Sequence, residues 1–134
     1  MDSFLRSINI ELDAEDPKRV AHFRPTNKSI GLLKLLTSDD SNAIMIAAPY
    51  GVGKSITATV ALHLIENQKI NKQDMKSVAD RIKSINPNAG RDIDARRRSK
   101  NQGLVLALQG HAESVPESIK CAVVSGLLRI GCTK

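Results

Sequence analysis

The chain has 134 residues, one domain's length and enough for a single hydrophobic core. Phe4, Phe23 and Tyr50 are its whole aromatic inventory, so the core must be aliphatic, built from Leu, Ile, Val and Ala. The net charge of +6 is modest and suits a partner that carries phosphates. Cys121 and Cys132 lack the spacing of a metal knuckle and read as free thiols, which argues against a disulfide scaffold. Met1-Asp2-Ser3-Phe4 lacks a cationic region followed by an apolar stretch, so no signal peptide is expected. No apolar run is long enough to span a membrane, and the expected location is the cytoplasm.

In chain order, residues 1–42 read as a helical lead-in. Asp16-Pro17 is a cap followed by proline at the first helical position, which predicts a short helix to His22. Arg24-Pro25-Thr26 breaks the chain, and Thr26 is placed to cap the next helix. There Ile30, Leu33 and Leu36 fall on one face. Ser38 to Asn42 is a polar turn. The short apolar run ending at Ala47-Ala48 then reads as a buried parallel strand.

Residues 43–134 hold the informative loop, Ala48-Pro49-Tyr50-Gly51-Val52-Gly53-Lys54-Ser55, followed by a mostly apolar helix from Ile56. This is the pattern of a phosphate-binding loop, which arises by chance in roughly one chain per hundred of this length. Gly51 and Gly53 allow positive φ, so that successive N–H groups of the loop, through Ile56, converge on an anion. The helix start adds unpaired N–H groups and the positive end of its dipole. Lys54 would reach the β- and γ-phosphates of ATP and stabilise their charge in catalysis. The Ser55 hydroxyl would ligate Mg²⁺. Ala48, Pro49, Tyr50, Gly51, Val52, Gly53, Lys54, Ser55 and Ile56 are thus the candidate nucleotide contacts.

Past a break at Asn67-Gln68-Lys69, Met75, Val78, Ala79 and Ile82 mark an amphipathic helix. Asn86-Pro87-Asn88-Ala89-Gly90 reads as a turn, and Arg91 to Gln102 as a solvated polar loop. Its Arg96-Arg97-Arg98 and Lys100 offer weak support for nucleic-acid phosphates. Gly103 to Gln109 reads as a second buried strand. Ser114 and Glu117 make a capping box before a last helix lined by Ile119, Val123, Leu127 and Ile130. Strands alternating with helices imply an α/β fold: a partial three-layer P-loop domain with parallel strands and crossover helices, apparently incomplete.

Hydrolysis needs a further acidic residue at a strand end to hold Mg²⁺ and a group to orient water. No apolar strand here ends in Asp or Asp-Glu. Glu113 is displaced from the second strand, and Asp92 and Asp94 sit in polar surroundings. Arg24-Pro25-Thr26, the leucine-rich helix and the Pro-Tyr-Gly-Val-Gly-Lys-Ser loop resemble the N-terminal part of large bacterial AAA-type ATPases. The resemblance implies ATP binding by Gly51, Gly53, Lys54 and Ser55, with hydrolysis weak or absent because the Asp-Glu strand is missing, as in a truncated chain. It implies as partners ATP and either self-association or a remaining ATPase segment. The competing expectation is a DNA-associated or interaction protein whose loop is a relic.

Overall fold

The structure is a computed structural model, and it describes residues 10–38, 43–47, 49, 51, 53–69, 72–108 and 114–132. Every regular element among them is helical. In order these are α1 (Ile10–Ala14), a 3-10 helix (Pro17–His22), α2 (Asn27–Leu36), α3 (Lys54–Glu66), α4 (Lys72–Ile85), α5 (Pro87–Arg98) and α6 (Val115–Arg129). The starts of the 3-10 helix and α2 carry the predicted caps. The Asp16 carboxylate accepts from Lys18 N–H at 3.1 Å. Thr26 and Ser29 exchange capping bonds at 2.8 and 3.2 Å.

The core gathers Val20 and Phe23 of the N-terminal segment, Ile30 and Leu33 of α2, and Val60, Ala61 and Leu64 of α3. Met75, Val78, Ala79 and Ile82 of α4 and Ala89 and Ile93 of α5 complete it. The predicted faces of α2 and α4 are therefore the faces buried. α3 sits centrally and is buried on every side, Thr57, Thr59, His63 and Glu66 included. Arg81 of α4 donates to the Phe23 carbonyl at 2.8 Å and ties the N-terminal segment to the helical core.

The expected α/β fold is overturned: no strand occurs among the described residues. Both apolar runs lack a ladder partner there. Ile44, Met45 and Ile46 are exposed, Met45 by 93%. The second run is held by other means. Gly103 N–H donates to the Ile65 carbonyl at 2.8 Å. The Val105 carbonyl accepts from the Arg129 guanidinium, also at 2.8 Å. Side-chain and helix-end groups thus engage backbone that a neighbouring strand would otherwise pair.

The polar stretch after Gly90 is likewise helix rather than loop. Asn86 is the N-cap of α5, accepting from Ala89 N–H at 3.0 Å, and Pro87 takes the first turn. Asp94 pairs along the helix with Arg97 at 2.7 Å and with Arg98 one residue further on. Gly90 is a packing glycine and not a turn residue. A Cβ there would lie 2.5 Å from Lys83 Cα and 2.8 Å from Lys83 N. α4 and α5 approach closely here because this position lacks a side chain.

α6 departs from expectation in its face. Its buried residues are Ala122 and Gly126, while Ile119 is exposed. The Gly126 backbone lies against Leu104, Val105 and Leu106, where a Cβ would meet the Val105 carbonyl at 3.0 Å. Ser114 stands at the N-cap but makes no side-chain capping bond, and Glu117 instead lies 3.8 Å from Lys120.

Gly90→Ala should cost about 2 kcal/mol of stability in urea unfolding. Overpacking against the Lys83 backbone outweighs the roughly 1 kcal/mol that alanine brings to a helix interior.

Candidate functional site

The site is built where an exposed loop enters a buried helix. Gly51 and Gly53 take the left-handed conformation, with φ of 82° and 83°. A side chain at either position would be strained, so these glycines set the path of the loop. Gly53 is the N-cap of α3 and brings no capping side chain. The first rung of the helix is Thr57 N–H to the Gly53 carbonyl at 3.1 Å, so the N–H groups of Ser55 and Ile56 precede the ladder.

Two contacts fix this end of α3. The Thr57 hydroxyl donates to the same Gly53 carbonyl at 2.8 Å, and Ile56 packs against the core. The Lys54 ammonium donates to the Pro49 carbonyl at 2.7 Å across the loop. A cation, two left-handed glycines and the positive end of a 13-residue helix therefore meet at one place. Ser55 lies half-buried in the first turn, where its hydroxyl is the candidate Mg²⁺ ligand. Ala48, Tyr50 and Val52 lie outside the described residues, as do Gln109 and Glu113.

The other charged candidates are occupied elsewhere. Asp92 lies 3.9 Å from Lys34. The hydrogen bond from Arg97 holds the Asp94 carboxyl below the usual carboxylate range, and Arg98 reinforces it. Arg96 donates to the Ile65 carbonyl at 3.2 Å. Arg96 and Arg97 thus direct donors into the fold, while Arg98 pairs with Asp94 at the surface. Among the described residues, no group of three or more His, Cys, Asp or Glu is placed to hold a metal ion. Nor is any helix there long and apolar enough to cross a membrane.

The far end of α3 carries a polar junction that the sequence reading did not identify. Glu66 is fully buried and receives Arg129 of α6 in a bidentate pair, with Nη2 at 2.9 Å and Nε at 3.1 Å from Oε1. Gln68 donates to its second oxygen at 2.9 Å. Asn67 ends the helix in the left-handed conformation, and its amide reaches the Ser99 carbonyl at 2.9 Å. One turn earlier, burial pulls the His63 imidazole below its ordinary value of 6.5, against the opposing pull of the Asp13 backbone and the Glu66 charge.

No family model, curated protein or solved structure matches the chain.

Two outcomes follow for stability. Arg129→Met leaves the buried Glu66 charge without its guanidinium and should cost about 3–5 kcal/mol in urea unfolding. His63 is neutral in the folded chain at pH values where an unfolded histidine already takes a proton. Its contribution is therefore complete above pH 6.5 and is lost as pH falls below that value. Unfolding free energy measured from pH 8 to pH 5 should decline below pH 6.5, and His63→Gln should flatten that decline.

Proposed function

We propose that residues 48–55 bind the phosphates of ATP, as the nucleotide-contacting segment of an AAA-type ATPase, with hydrolysis by this chain weak or absent. The observation that carries the reading is the pair of left-handed glycines, Gly51 and Gly53, directly before the N-terminus of α3. Left-handed residues before a helix are the kind that let backbone N–H groups turn toward an anion, and the helix dipole favours one there. Lys54 supports the reading because its ammonium already spans the loop to Pro49, within reach of whatever the loop encloses. Phosphate oxygens would compete with that carbonyl for the ammonium, as the stronger acceptors.

Ser55 fits the role of a Mg²⁺ ligand when ATP supplies the remaining oxygens, since Mg²⁺ keeps several waters and few protein donors. Weak turnover is supported by the engagement of Asp92 with Lys34 and of Asp94 with Arg97 and Arg98. A carboxylate already held by arginines is a poor base for water.

A second reading, an interaction protein with a relic loop, is favoured by one observation. The run 43–47 before the loop forms no strand and is exposed, so it does not brace the loop from behind. The pairing of Arg96 with the Ile65 carbonyl and of Arg97 with Asp94 weighs against DNA as its partner.

Calorimetric titration of the chain with ATP and Mg²⁺ should show binding that Lys54→Ala weakens by about 10- to 100-fold, the worth of a charged hydrogen bond. Helicity should be unchanged. Phosphate release should stay near background. Negligible ATP binding by both proteins would leave the relic reading in possession.

A further inference from the structure

A cavity of about 140 Å³ opens between the end of α2, the last turns of α3 and the outer side of α5. Its apolar part is Leu64 of α3 with Ala89 and Ile93 of α5, all three buried. Its charged part is Lys34 of α2 with Asp92 and Arg96 of α5. Ala89, Asp92, Ile93 and Arg96 stand at i, i+3, i+4 and i+7, so one stripe of α5 supplies both characters. Folded interiors keep few voids larger than a water molecule, and an apolar cavity of roughly 150 Å³ holds a benzene ring.

The charges are two positive against one negative, and none is firmly committed. Lys34 and Asp92 are 3.9 Å apart with side chains 47% and 73% exposed, so water competes with their pairing. Arg96 gives one bond to the Ile65 carbonyl at 3.2 Å, and a guanidinium has five N–H groups. The nearby C-terminal carbonyls of α2 would repel an anion, but two are answered from within. The Thr37 hydroxyl donates to the Leu33 carbonyl at 2.9 Å, and the Ser38 hydroxyl to that of Leu35 at 3.0 Å.

We infer that this cavity binds a small branched aliphatic monocarboxylate. Its alkyl end rests on Leu64, Ala89 and Ile93, and its carboxylate pairs with Lys34 and Arg96 in place of the loose Asp92 contact. A bare inorganic anion would leave the apolar part unused. An alkylammonium would meet two like charges. The inference is independent of nucleotide binding. Leu64 lies ten residues beyond Lys54 on α3, about 15 Å along the helix, and a triphosphate is too large and too charged for this space.

Titration of the full chain with 3-methylbutanoate at pH 7, followed by amide resonances, tests it. Saturable shifts are expected at Leu64, Ala89 and Ile93, with a dissociation constant on the order of 1 mM, as so few ligand atoms allow. Acetate should bind about 10-fold or more weakly, because it lacks the buried methylenes. 3-Methylbutylammonium should be weaker by a similar factor. Lys34→Gln and Arg96→Gln should each lower affinity by about 10-fold. Lys28→Gln removes the same charge from α2 away from the cavity and should leave affinity unchanged. Helical circular dichroism monitors folding, and if Arg96→Gln loses its helical signal, Lys34→Gln and the three probes decide.

Shifts that fail to saturate by about 20 mM 3-methylbutanoate, or that saturate only at other residues, would overturn the inference. Equal affinity for acetate would overturn it by removing the apolar contact, and equal affinity for the ammonium by removing the charge preference. Equal losses in Lys28→Gln and Lys34→Gln would do the same, by reducing the effect to net charge.

Discussion

Burying α3 on every side is the constraint from which the rest of the described fold follows. A helix with neighbours all round must satisfy its polar side chains internally or lose the energy of their hydration. Thr57 and Thr59 do so within the helix, returning their hydroxyls to the carbonyls of Gly53 and Ser55. Burial holds the His63 imidazole below its ordinary pKa. Glu66 is met by Arg129 from a helix 63 positions away in sequence, with Gln68 beside it. The position of α6 is thus a consequence of a carboxylate that α3 cannot place in water.

The same constraint gives the loop its fixed edge. Since α3 cannot rotate without disturbing Val60, Ala61 and Leu64 in the core, its first turn points in one direction. Thr57 binds the carbonyl of Gly53 through both backbone and hydroxyl, so the last glycine of the loop is held from the buried side. The loop ahead of it has no such support from residues 43–47, which lie exposed. An anion at this site would therefore meet one rigid wall, made by the helix end, and one wall made by the loop itself.

Much of this was legible from residue types. The left-handed glycines follow from the loop pattern. Met75, Val78, Ala79 and Ile82 follow from helical spacing, and the caps at Asp16 and Thr26 from side chains that bind nearby N–H groups. The two expected strands were a misreading, because an apolar run becomes a strand only when another supplies its ladder, and composition cannot say whether one does. α5 was missed because Asn86-Pro87 serves equally as a turn and as a helix start. Gly90 reads as a turn residue from sequence, yet it is a packing contact. The ion pairs of Asp94 with Arg97 and Arg98 were the available sign of helix. The Glu66–Arg129 pair left no local trace, since its partners meet only through the fold.

Gly126 and Arg129 have a consequence for how α6 moves. The contacts of Gly126 and Arg129 with the run 103–108 lie in the C-terminal half of the helix, while Val115 and Ile119 near its other end are exposed. α6 is thus a cantilever, clamped at its root and loaded along its free length. Amide hydrogen exchange along it should slow from Val115 toward Arg129, because opening at the root requires breaking a buried ion pair and opening at the tip does not. The tip and the root accordingly answer to different surroundings, one to what lies outside the molecule and the other to its core.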